Sequence, residues 1–372
     1  MSTVNPPVHQ LVHTLSYGDA ISTEVLALQR ALRDQGVTSE IFSINSHPRL
    51  KGQARHFSEI EGCQSADVIL HYSLGSPLND VYRGWTKGRR VLVYHNITPP
   101  VWYRSINSRV ADDIEAGISE LPQLCAVSDA IWADSHFNAQ EIQGLGYDAG
   151  VLDLLVDPVR WQAPRNEPLY QSVASTPGTQ VLHVGRIAPN KCLEDVIKSF
   201  YFLRKYRDPE ARLRLVGIDT DTELYSFSLR ELAAYLGIGE SVEFVGGLAD
   251  DEVRAMYEAS DVYLCMSEHE GFCLPLIEAM HFRLPIVAFA AGAVPATLGG
   301  AGILVTEKRH AEIGELLWRL TSDSSLRNGL IAHGVARVGA FTYERFSDRL
   351  TTLVNGLHQT ESTTRRSEAC AV

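Results

Sequence analysis

Short apolar runs rich in β-branched residues alternate along this chain with longer stretches of helical period. This pattern predicts parallel strands wrapped by helices. Val8 to Leu15 reads as the first strand. A polar turn, Ser16-Tyr17-Gly18-Asp19, follows it, and then a helix from about Ala20 to Gln35. Ser39–Ile44, Val68–Leu70, Arg90–Tyr94 and Ile131–Ala133 continue the series. Between Val156 and Thr179 the alternation lapses into a stretch broken by Pro158, Pro164, Pro168 and Pro177, which reads as a connection between domains. It then resumes with Val181–Val184, Arg212–Val216, Val242–Val245, Val262–Met266 and Pro285–Phe289. Two βα domains joined in this way are expected to leave a cleft, a favoured place for ligands.

Length and composition agree with that division. At 372 residues the chain is long for one core and comfortable for two, and 45% hydrophobic with 21% charged residues is ordinary globular composition. The formal net charge of −12 argues against a free-standing role on nucleic acid, while leaving room for a small basic pocket. The six cysteines include no CxxC pair and several lie in apolar runs, pointing to a reducing compartment. No basic-then-apolar leader opens the chain, and no apolar run is long enough to span a bilayer. The expected location is cytoplasmic.

Residues 261–289, DVYLCMSEHEGFCLPLIEAMHFRLPIVAF, carry the strongest chemical signal. An apolar strand runs into the turn Ser267-Glu268-His269-Glu270-Gly271, and a helix opens near Pro275, a residue suited to a first helical turn. Amides at that end, Leu274 and Leu276 among them, together with the helix dipole, favour a diphosphate. Gly271 lets a ligand approach the backbone. Glu270 and Glu278 are separated by seven residues, one before the turn and one inside the helix, a spacing suited to holding hydroxyls on either side of a diphosphate. Taken alone, the acidic pair also fits a helix N-terminus stabilised by carboxylates. A second segment, Val184-Gly185-Arg186-Ile187-Ala188-Pro189-Asn190-Lys191, places Arg186 and Lys191 just beyond a parallel strand, where open α/β sheets bind ligands. A solvated, charged turn accounts for that stretch equally well by itself.

The pairing of GR(x4)K with E(x7)E, followed by EAMHFRLPIVA and GAVPATLGGAGILV, resembles the retaining glycosyltransferases of family four. The N-terminal half adds looser likenesses in YGDAIS, ADVILHYSLGS, VLVYHNITPP and ADSHFNAQEI. The resemblance implies the GT-B type, an α/β fold of two Rossmann-like βαβ domains facing across a cleft. The expected boundaries are 1–160 for the acceptor-side domain and 161–340 for the nucleotide-sugar domain. A helix at about 341–357 is expected to pack back on the first domain, and a disordered tail to occupy 358–372. The resemblance further implies that Arg186 and Lys191, with Gly185, neutralise the donor diphosphate. Glu270 and the backbone of Gly271, Phe272 and Cys273 hold sugar hydroxyls; the Leu274 amide meets phosphate and Glu278 the ribose. His95 stands near the anomeric carbon, its side chain or carbonyl steadying positive charge there, and Gly18 and Asp19 line the acceptor side and touch the diphosphate. Cys273 replaces the usual glycine or small polar residue, and Ala296 stands where the family pattern has glutamate.

The implied reaction moves a hexose from a nucleoside diphosphate sugar to an acceptor hydroxyl, with retention and without a metal or other cofactor. The acceptor is a saccharide or a lipid-linked saccharide. Arg83, Lys87, Arg89 and Arg90, interleaved with Tyr82 and Trp85, are compatible with peripheral contact at anionic headgroups, although a solvated turn is the plainer account. Asp219-Thr220-Asp221 has the DxD form of a metal motif but sits where polar turn residues are expected after a strand. GxGxxG, P-loop, GxSxG and HExxH motifs are all missing, and His71, His136 and His269 read as hydrogen-bonding residues. A nucleotide-sugar epimerase, a sugar phosphorylase and a non-catalytic sugar-binding protein are the alternatives on this architecture. Sequence leaves open the base, the sugar, the acceptor and the oligomeric state.

Overall fold

The computed structural model describes residues 6–369 except Glu61 and Gln64, with side chains as far as Leu357. It contains two compact units. The first takes in residues up to Ile97, Ala116–Leu155 and the segment from Thr342; the second comprises Thr98–Glu115 and Val156–Phe341.

The first unit is built on a seven-stranded parallel sheet: β1 (Val8–Leu15), β2 (Ile41–Ser46), β3 (Arg55–His56), β4 (Asp67–Tyr72), β5 (Arg90–Tyr94), β6 (Ala130–Ala133) and β7 (Gly150–Val151). The spatial order is β3-β2-β1-β4-β5-β6-β7, so the direction of winding reverses between β1 and β4. β1 and β4 lie at the middle and are almost wholly buried, although β1 carries His9, Gln10, His13 and Thr14 and β4 carries Asp67 and His71 among their apolar positions. Gly18 adopts φ 76° in the turn after β1, and Asp19 caps the helix Ala20–Asp34 by accepting from the Ser22 amide at 3.1 Å. That helix buries Ala27, Leu28, Ala31 and Leu32 against the sheet. The closing helix, Tyr343–Ala369, adds Phe346, Leu350, Val354 and Leu357 to the same core. The tail from residue 358, expected to be disordered, lies outside the residues whose side chains are described, as does Cys370.

The second unit repeats the design with six parallel strands: β8 (Gln180–Val184), β9 (Arg212–Val216), β10 (Val242–Gly246), β11 (Val262–Cys265), β12 (Ile286–Phe289) and β13 (Ile303–Val305). Their order is β10-β9-β8-β11-β12-β13, with the reversal between β8 and β11. Val181, Leu213, Leu215, Val262 and Leu264 face Leu193, Val196, Ile197, Phe200 and Leu317 in one core. Both sheets therefore follow the doubly wound order of Rossmann folds, in which ligands bind beyond the carboxyl ends of the strands at the reversal.

Three features differ from expectation. The connection 156–179 contains a helix, Glu167–Ala174, capped by Asn166 with proline in its first turn; Pro168 starts this helix instead of breaking it. The edge strands β3, β7 and β13 are two or three residues long, too short to show a period. Tyr82 and Trp85, read as interleaved with surface cations, are core residues, and Arg83 reaches Asp80 and Glu120.

Candidate active site

In the second unit the carboxyl ends of β8, β9 and β10 are tied together through their backbones. The Gly185 amide donates to Val216 O and the Ile187 amide to Ile218 O, each at 2.9 Å, while Gly217 donates to Gly246 O at 2.9 Å. The approach is close enough that a Cβ on Gly217, whose φ is 155°, would stand 1.9 Å from Gly185 O. Arg186 leans over the next loop, where Nη2 donates to Thr220 O, and touches neither glutamate of the acidic pair. Asp221 of the DxD-like triplet is ion-paired with Arg109.

Pro189–Lys191 forms a short 3-10 turn that joins the turn after β11. Asn190 Nδ2 donates to His269 O at 3.0 Å, and the Glu268 amide donates back to Asn190 O at 2.9 Å. Between these bonds Lys191 Nζ reaches both carboxylate oxygens of Glu270, each at 2.8 Å. Glu270 is buried; burial pushes its carboxyl up, but the charge and hydrogen bonds of Lys191, with help from Ser267, bring it below the ordinary carboxylate range. Burial likewise opposes charge on Lys191, and Glu270 outweighs it, holding the ammonium above its ordinary value. The two chemistry-bearing segments of the sequence thus meet as one ion pair at the reversal of the second sheet.

The rest of the turn is shaped by backbone. Glu270 O accepts from the Ala293 amide at 2.9 Å, and a Cβ on Gly292 (φ 54°) would lie 2.5 Å from that oxygen. Thr297 Oγ1 donates to Phe272 O at 2.6 Å. Cys273 enters the helix Leu274–His281 in the left-handed region at φ 73°. Leu274, the first helical residue, has no intrahelical acceptor for its amide. Leu276 differs from expectation: its amide donates to Cys273 O at 3.0 Å and is not free for a ligand. Cys265 and Cys273 bring their thiols beside Glu270, the three ligand atoms lying within 4.8 Å of one another. Ala296 contributes only its carbonyl, which accepts from Arg337 Nη2 at 2.7 Å.

Glu278 stands apart from this pair. Arg160 reaches its Oε1 and also binds Asp250 at 2.7 Å, and the Tyr257 hydroxyl donates to Oε2 at 2.9 Å. Each carboxylate oxygen has one internal partner and a further lone pair available. Arg160, whose guanidinium sits over Trp161 at 4.3 Å, carried no sequence signal, because an isolated arginine in a proline-broken stretch resembles any surface cation. His183, also unflagged by sequence, is buried on β8 beneath Gly185. Its Nδ1 donates to Leu264 O at 3.0 Å, and burial pushes it down to about 4.

In the first unit Asp19 is primarily a helix cap, and its charge is felt at His95. His95 follows β5, its amide donates to Tyr72 O at 2.9 Å, and it is followed by Asn96 in the left-handed region at φ 69°. Its ring is buried among Glu24, His71 and Asp134, residues that come from three other segments and form no sequence motif.

Residues 170–336 match the family described as glycosyl transferases group 1. The D-inositol 3-phosphate glycosyltransferase of Actinosynnema mirum is 29% identical over 246 residues, covering 61% of this chain and 57% of that protein. The chain thus spans just over half the length of that relative. Among solved structures, a sucrose-phosphate synthase from Thermosynechococcus elongatus superposes with a TM-score of 0.75 at 18% identity, covering 96% of this chain and 100% of the other. The Anabaena protein HepE in complex with UDP-glucose gives 0.75 at 16% identity over 95% and 100%. At these identities the likeness concerns the fold, which is GT-B with two Rossmann-like domains.

Proposed function

We propose that this chain, whose residues 170–336 match the glycosyl transferases group 1, transfers a hexosyl unit from a nucleoside diphosphate sugar to an acceptor hydroxyl with retention and without a metal ion. The observation that carries this reading is the Lys191–Glu270 pair at the reversal of the second sheet, beside the first turn of the helix Leu274–His281. An ammonium, the Arg186 guanidinium on the loop that leaves the same strand, and a helix N-terminus are the kinds of positive group that a diphosphate leaving group needs. In this proposal Lys191 and Arg186 stabilise the charge that grows on the diphosphate as the glycosyl bond breaks. Glu270, its charge already balanced by Lys191, accepts hydrogen bonds from the sugar hydroxyls, and the backbone of Gly271, Phe272 and Cys273 shapes the same pocket. The Leu274 amide meets phosphate. Glu278, oriented by Arg160 and Tyr257, accepts the ribose hydroxyls on its remaining lone pairs.

Neither glutamate is assigned to acid–base work. Glu270 is held ionised by a lysine, and Glu278 is held by an arginine and a tyrosine, which suits clamping rather than proton transfer. The departing diphosphate takes the acceptor proton, and a saccharide or lipid-linked saccharide is the acceptor class. Two facts about similar proteins favour a nucleotide-linked donor: the Anabaena neighbour was solved with UDP-glucose, and a Xanthomonas oryzae relative, 31% identical over 138 residues, is named as a GDP-mannose-dependent mannosyltransferase.

Calorimetry with UDP, GDP and ADP in the presence of a chelator tests the donor site directly. One of the three is expected to bind, and Lys191→Ala to weaken it at least tenfold, about 1.4 kcal/mol. Binding of none, or unchanged binding by the variant, removes the basis of the proposal. Nuclear magnetic resonance with a panel of nucleotide sugars then identifies the sugar and reports whether the anomeric configuration is retained.

A further inference from the structure

We propose that Gln10, His71, His95 and Asp134 form a buried hydrogen-bond chain of fixed polarity, with the Glu24 carboxyl packed beside it, that holds His95 as a doubly protonated imidazolium. The polarity follows from one end. Gln10, on β1, donates from Nε2 to the carbonyl of Val25 at 3.2 Å, which turns its Oε1 toward His71. Because Oε1 only accepts, His71 Nε2, 2.8 Å away, must carry the hydrogen. A neutral His71 then presents a bare Nδ1, and the atom it faces at 2.8 Å, His95 Nε2, must be the donor. The other His95 nitrogen, Nδ1, lies 3.2 Å from Asp134 Oδ2 and 3.3 Å from Glu24 Oε2, where a second hydrogen is required. Both nitrogens of His95 therefore donate, and only the charged ring does that.

The electrostatics agree with the geometry. Burial opposes charge on His95, yet Asp134 and Glu24 overcome it, with a smaller contribution from Asp19, and lift the ring to about 9. His71 is driven well below its ordinary value by burial and by the neighbouring His95 charge, as an acceptor partner should be. Among the described residues neither Glu24 oxygen has a hydrogen-bond partner; burial pushes that carboxyl up, with His95 pulling against and Asp134 adding to the rise. Asp134, hydrogen-bonded to Nδ1, and Glu24 beside it are the two carboxyl groups that face the His95 ring. His71 and Glu24 lie against opposite nitrogens of the ring, which suits a chain of hydrogen bonds and not convergence on one ion.

For the proposed transferase, and resting on that reading, the consequence is a division of roles. His95 has no ring lone pair with which to act as a base, and its pinned ring fixes the backbone at the end of β5. Gln10, His71, Glu24 and Asp134 are positioning residues.

Long-range proton–nitrogen correlation spectra of the ¹⁵N-labelled full chain test this without donor or acceptor. One histidine is expected to stay doubly protonated above the pH at which exposed histidines have titrated, and to disappear in His95→Gln. A second, His71, is expected as the Nε2–H tautomer. Asp134→Asn should lower the His95 midpoint by about one pH unit or more, a tenfold change in its protonation constant. The wild-type spectrum alone decides if a variant does not fold: no persistently charged histidine overturns the proposal, as does a His95 midpoint indifferent to Asp134→Asn. Such a result leaves the transferase reading standing, and a failed nucleotide titration leaves the imidazolium standing.

Discussion

Lys191 and Glu270 neutralise each other in a setting where neither charge is well solvated, since the lysine side chain is 20% and the glutamate 8% exposed. Removing one partner strands the other. Such losses typically cost about 3–5 kcal/mol, and the partly wet lysine places Lys191→Ala at the lower end, about 3 kcal/mol. The double variant Lys191→Met/Glu270→Gln should cost less than the two single changes summed, because no stranded charge remains; urea denaturation of all four chains measures the coupling. His183 supplies a pH dependence of known sign. Its folded value, about 4, lies below the ordinary unfolded value, so the unfolded chain binds more protons between the two. Stability is therefore complete above the unfolded value and falls as pH drops through this window, by up to about 3 kcal/mol. In His183→Asn, which keeps a donor for Leu264 O but does not titrate, urea midpoints across the window should show a shallower fall. An equally steep fall assigns the acid sensitivity to other groups, of which buried His71 is one.

Among elements, the decisive contacts are between loops whose strands are neighbours in a sheet but distant in sequence. Gly217 and Gly18 both have positive φ, and they should respond very differently to a methyl group. At Gly18 nothing lies within 4 Å, so Gly18→Ala carries only the backbone penalty, about 1–2 kcal/mol. At Gly217 the added Cβ meets the Gly185 carbonyl at 1.9 Å, backbone against backbone, and the two loops must separate. Gly217→Ala is expected to exceed the Gly18→Ala loss in thermal denaturation and also to weaken nucleotide binding, since Arg186 rides on the same loop pair. Equal losses in the two variants would show that the loops yield easily. The same distinction explains what the chain disclosed before folding. Strands such as β11 and β12 were legible as apolar runs, and Lys191 and Glu270 as polar residues just beyond apolar strands. Strands of two residues have no period to read, and Pro168 marks a helix start that looks like a break. The partners of His95 and Glu278 were hidden for a plainer reason: Glu24, His71 and Asp134, or Arg160 and Tyr257, become neighbours only through strand order, which pattern alone does not specify.

The molecule as a whole is two cores, and the chain ends in the one where it began. Phe346, Leu350, Val354 and Leu357 come from the last helix, yet they pack on Leu28, Leu32, Val93 and Trp132 of the first unit. Each of those four side chains is at most 6% exposed, and burying one such residue is worth about 1.5–3 kcal/mol. Their combined loss, even discounted for residual structure in the unfolded chain, is comparable with the entire stability of a domain, about 5–15 kcal/mol. The second unit depends on none of them; its core is filled by Leu193, Phe200, Leu215, Leu264 and Leu317, and its closing contact is the Val156 amide on Phe341 O at 3.0 Å. A chain ending at Phe341 should therefore unfold selectively. In hydrogen exchange, amides of β1, β4 and β5 are expected to lose protection, while those of β8, β9 and β11 retain it. Nucleotide binding, if it resides where Lys191 and Glu270 meet, should survive the truncation within about tenfold, a cost near 1.4 kcal/mol. Loss of protection in both sheets would instead mean that the two cores fold as one cooperative unit, and retention in both would mean that the last helix is dispensable to the first.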